Sequence, residues 1–131
     1  MDLDTLIVTV FCTVDDALAF TLDGQRLRQR GPHPLLSDSE VLTIEAIGEY
    51  LGLDQDKAMF AYFRRHFAHF FPALRRIHRT TFVRQAANLW RVKEMLWQHL
   101  LYGLEVDRAI SLIDSFPVPV CRFARATRCR R

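Results

Sequence analysis

A chain of 131 residues is long enough for about one domain of ordinary size. Half of its residues are hydrophobic and a quarter are charged, a composition that excludes intrinsic disorder. Charged residues interrupt every apolar run before about 18 residues, which argues against a membrane span.

The net charge of +3 conceals a polarity. Residues 1–60 hold 4 Lys/Arg and 11 Asp/Glu, a balance of −7, whereas residues 61–131 hold 14 and 4, a balance of +10. Two readings follow: the basic half faces a polyanion, or the two halves attract each other. Cys12, Cys121 and Cys129 form an odd set without a C-x-x-C pair, so plain thiols, mostly buried, are expected rather than a disulfide or zinc site.

The opening stretch "MDLDTLIVTVFCTVDD" has acids where a signal peptide has a basic region, and it lacks a small-residue cleavage site. It reads as a helix of a mature cytoplasmic protein. Leu3, Ile7, Val10, Val14 and Leu18 recur at helical spacing. Neighbours in a helix point about 100° apart, so Asp15 and Asp16 read as solvated acids rather than a shared ion site. "DGQRLRQRGPHP" (23–34) is a basic loop broken by Gly24, Gly31, Pro32 and Pro34.

Ser37 and Glu40 form a capping box that starts a second helix. Val41, Ile44, Ile47 and Leu51 supply its buried stripe, and Gly52 its C-terminal cap. After a short turn, Phe60, Phe63, Phe67 and Phe70 line one face of a third helix, a core stripe, with Pro72 as the stop. Lys57, Ala61, Arg64, Arg65 and Ala68 occupy another face. The pair of helices resembles a helix-turn-helix, a shape shared by many αα-hairpins. Arg64 and Arg65 are either solvated surface or phosphate contacts.

"ALRRIHRTTF" is a basic connector that contains Arg75 and Arg76. Thr80 or Thr81 is expected to cap a last long helix, roughly 81–102, closed by Gly103. One stripe of that helix is Phe82, Ala86, Leu89, Leu96 and Leu100; Trp90, Trp97 and Leu101 run beside it, which predicts burial over a wide arc. His66 and His69 stand at i, i+3, but no acid or cysteine joins them as a metal site.

Strand character first emerges in "AISLI" (109–113), continued by the extended "PVPVC". The last ten residues carry Arg122, Arg125, Arg128, Arg130 and Arg131. The expected fold is mainly α: an N-terminal bundle of about four helices (1–104), followed by the first strand of a second domain (105–131). A lone strand cannot form a sheet, so truncation is the expectation, with an exposed edge prone to aggregate. Asp114, off the end of this strand, is either a turn residue or one ligand of a carboxylate-held Mg²⁺ site.

Three stretches, "LSDSEVLTIEAIGEYLGLDQDKAMFAYFRRHFAHFFP", "FVRQAANLW" and "LIDSFPVPVCRFARATRC", resemble the N-terminal portion of bacterial insertion-sequence transposases of the DDE superfamily. The "IDSFPVPVC" block is the most specific part. The resemblance implies that residues 105–131 begin an RNase H-like α/β domain, with Asp114 as the first of three catalytic, Mg²⁺-binding carboxylates. It implies that the preceding helices help bind transposon-end DNA and assemble the complex, with self-association possible. The nucleic-acid contacts are then expected at Arg64, Arg65, Arg75, Arg76, Arg122, Arg125 and Arg128.

The family's second Asp and its Glu lie well downstream. Asp107 lies about 23 Å from Asp114 in an extended strand, so neither it nor Glu105 can substitute. The fragment is therefore expected to be inactive alone and to bind no metal of its own. In an intact relative, Mg²⁺ would lower the pKa of the attacking water and steady the leaving 3′-oxygen. The alternative is a stand-alone helical DNA-binding or protein-interaction module.

Overall fold

The computed structural model describes residues 1–28 and 30–104. They form five α-helices: α1 (Leu3–Leu22), α2 (Asp38–Tyr50), α3 (Asp56–His66), α4 (Arg79–Asn88) and α5 (Trp90–Tyr102), with a 3-10 turn at Pro72–Arg75. The mainly helical expectation holds for these residues, among which there is no strand. The expected strand, Asp114 and the 105–131 segment lie outside the described residues.

Local chemistry sets the helix ends. The Ser37 backbone N–H donates to Glu40 Oε2 at 2.7 Å, and the Glu40 N–H donates to Ser37 Oγ at 3.1 Å, so both halves of the capping box form. At the other end of α2, Gly52 adopts φ +76°. Its N–H donates to the Glu49 carbonyl at 2.9 Å while that of Leu53 donates to the Gly48 carbonyl at 2.8 Å. This is a Schellman closure, which needs a left-handed residue at that point.

Helix α2 is central. It packs against α1, α3 and α4, while α1 also packs on α5 and α3 on α4. Ile7, Val14 and Leu18 of α1 meet Val41, Ile44 and Ile47 of α2, with Phe60, Phe63, Phe67, Phe71 and Phe82 completing one core. The Phe63 and Phe71 rings stand edge to face, 5.9 Å between centroids.

Polar ties fix the arrangement. Arg28 grips Asp38 with two bonds of 2.7 and 2.8 Å. Gln85 of α4 donates to the Leu36 carbonyl and to Asp38 Oδ1, both at 2.9 Å. Lys93 of α5 donates to Glu45 Oε1 at 2.8 Å. Asp15 and Asp16 are exposed, as expected, and Ser39 Oγ donates to the Asp15 carboxylate at 2.6 Å, which ties α1 to α2.

Several expectations are corrected. The long last helix is two helices broken at Leu89, which is buried with φ −90° and ψ 6°. Gln85 pins α4 to the start of α2 and Lys93 pins α5 further along it, so the chain bends between the anchors. His78, not Thr80 or Thr81, caps α4: its Nδ1 accepts the Thr80 N–H at 3.3 Å. Helix α3 stops at His66, well before Pro72. Proline disfavours helical backbone at the preceding residue, and Phe71 sits at φ −121°, ψ 67°. The chain leaves the helix upstream, which lets Phe67, Ala68 and Phe71 all turn inward.

The wide arc of burial expected of α5 is not found: Trp90 and Trp97 are 57% and 62% exposed and Leu100 is exposed too, while Leu101 is half-buried. Among the described residues α5 packs mainly on α1 and α4, with Lys93 reaching α2, and the two indole rings are left uncovered. Cys12 is exposed, not buried as expected. By length and composition alone α1, with a mean hydropathy of 1.7 in its most apolar window, qualifies as a membrane span, which the run-length reading of the sequence had excluded. Its packing on α2 and α5 and the Asp15–Ser39 bond make it a bundle helix here.

Candidate nucleic-acid interface

The core stripe of α3 dictates what its opposite face presents. With Met59, Phe60 and Phe63 buried, Lys57, Ala61, Arg64 and Arg65 are left on the outer surface, all exposed. The Arg64 guanidinium carbon lies 5.9 Å from the Phe60 ring centroid, over the ring. That cation–π contact holds the side chain without neutralising it.

The α3–α4 packing brings a second group of residues to this face. Because His78 caps α4, Arg79 occupies the first helical position. His78 and Arg79 line one groove of about 830 Å³ together with Gln55, Lys57, Ala58, Phe60, Ala61, Arg64 and Arg65. The floor is apolar and small; the rim is cationic. Both ion pairs among the described residues lie elsewhere, at Arg28–Asp38 and Lys93–Glu45. Lys57, Arg64, Arg65 and Arg79 thus have no carboxylate partner among the described residues, and the first backbone N–H groups of α4 add partial positive charge. The groove suits an anionic, extended ligand.

The structure brings only part of the expected site together. Arg64 and Arg65 line the groove. Arg75 and Arg76, in and just after the 3-10 turn, are exposed but do not line it. Asp114, Arg122, Arg125 and Arg128 lie outside the described residues. The sequence reading missed His78 and Arg79; the signal for them was the basic "IHRTT" read as a connector rather than as a helix start. Residues 51–55 form the link between α2 and α3, longer by a residue or two than the turn expected of a helix-turn-helix.

Among the described residues no group of three or more His, Cys, Asp or Glu side chains could hold a metal ion. His66 and His69 pack against aromatic rings instead, with centroids 4.8 Å from Tyr62 and 4.4 Å from Phe70. No protein-family model matches the chain, and neither a curated protein nor a solved structure matches it.

Proposed function

We propose that this chain binds DNA through the α3–α4 groove, as the N-terminal, DNA-holding part of a DDE transposase acting in DNA transposition. One observation carries the binding reading: four cations, Lys57, Arg64, Arg65 and Arg79, converge on one groove without a carboxylate partner among the described residues. The transposase setting rests on the resemblance of "IDSFPVPVC" and the flanking stretches. In that setting Asp114 is the first of three carboxylates that hold Mg²⁺.

Phosphate contacts release counterions, so affinity must fall steeply with salt. If all four groove cations meet phosphates, raising salt from 0.1 to 0.3 M weakens duplex binding roughly fifty-fold. Fluorescence anisotropy with a labelled duplex measures this. Affinity that is flat with salt would overturn the proposal.

A further inference from the structure

On the opposite flank, between α1, α2 and α5, lies a second groove of about 370 Å³ with inverted chemistry. Leu96, Trp97 and Leu100 give it an apolar wall, and Glu45 and Glu49 give it acids. Glu45 Oε1 accepts from Lys93, but its Oε2 is buried with no hydrogen-bond partner among the described residues. That oxygen is shut off from solvent, so the exposed Glu49 carboxylate is the acid that an incoming group meets. Trp97 is 62% exposed, an uncovered aromatic next to the acids. The adjoining α1, with its caps, deepens the negative field: residues 2–23 hold five acids and no Lys or Arg. A fitting occupant is cationic, rich in N–H donors and partly apolar.

The chain contains such a segment. Residues 115–131 hold five arginines and no acid, with Phe123 among them. We propose that the α1–α2–α5 groove docks the arginine-rich residues 122–131 of this same chain. A guanidinium donates to the exposed Glu49 carboxylate, while Phe123 covers Trp97 and Leu100. Arginine suits this place because its planar fork pairs with carboxylates and stays charged when desolvated. Reach is ample: 17 residues separate Leu104 from Arg122, up to about 56 Å of extended chain, and the groove ends at Leu100, close to the end of α5. A second copy is the poorer occupant, because it would set one acidic α1 against another.

The test uses the full chain with Trp90→Phe, which leaves Trp97 as the single tryptophan; Trp90 is exposed, so the core is untouched. Acrylamide quenching of Trp97 is compared with Arg122→Ser/Arg125→Ser/Arg128→Ser and, separately, with Glu49→Lys, an exposed position. The expected result is a quenching constant at least two-fold higher in each variant, matched by the parent in 0.5 M NaCl, with unchanged helical circular dichroism. Equal quenching in all three proteins overturns the proposal. So does protection of Trp97 that persists in the triple variant and rises with protein concentration, which would assign the groove to a second copy.

Discussion

Glu45 is held between two demands. Burial pushes its carboxyl above the ordinary value of 4.5; the Lys93 hydrogen bond and charge pull it back in part, and Asp56 and Glu49 push it up again. A raised value means that the folded state holds this proton more tightly than the unfolded chain does. The associated stability is fully present below 4.5 and is lost as pH rises through the raised value. Wild type should therefore lose stability relative to Glu45→Gln as pH climbs above 4.5, in urea melts at a series of pH values. A gap that does not change with pH would show that the carboxyl is as free as an exposed one. Ser37 makes a simpler case: Ser37→Ala removes one half of the capping box and should cost about 1 kcal/mol, measured by the same melts. The capping box was legible because it is a four-residue pattern. The Asp15–Ser39 bond was not, because its partners are 24 residues apart and only packing introduces them.

Helix α2 meets α3 so closely that Gly48 has no room for a side chain. A Cβ there would sit 2.7 Å from Met59 Cγ and 2.8 Å from its sulfur. Met59 is itself buried, so relief requires a new rotamer inside the core. Gly48→Ala should destabilise the fold, since overpacking costs about 1–3 kcal/mol against a helix-propensity gain of about 1 kcal/mol. In a Met59→Ala background the same change should be neutral or stabilising. A double-mutant cycle with no coupling would contradict this contact. Sequence periodicity located α1, α2 and the start of α3 well, because each has one apolar stripe, and α2 has recognisable signals at both ends. It failed at Leu89, where the hydrophobic rhythm runs on unbroken while Gln85 and Lys93 anchor α4 and α5 to different parts of α2. It failed also at Trp90 and Trp97, since composition states that a side chain is apolar but not whether a neighbour exists to cover it.

Across the molecule, the charge polarity of the sequence becomes two faces. Acids gather along α1 and the neighbouring side of α2; cations gather on α3 and the start of α4. The sequence reading placed the basic half and chose Arg64 and Arg65, because a helical stripe with Phe60 and Phe63 inward leaves them outward. It missed Arg79, whose place in the groove depends on where α4 begins and on α4 lying across α3, a tertiary fact. Arg75 and Arg76 show the reverse: adjacent in sequence to the site, they are exposed beside it rather than in it. The measurement that most directly tests DNA binding by this groove is the salt dependence of duplex affinity in Arg64→Ser/Arg65→Ser/Arg79→Ser. With four phosphate contacts reduced to one, the slope of log affinity against log salt should fall from about −3.6 to about −0.9, with helical content unchanged. A triple variant that binds as tightly and with the same slope as wild type would contradict the account.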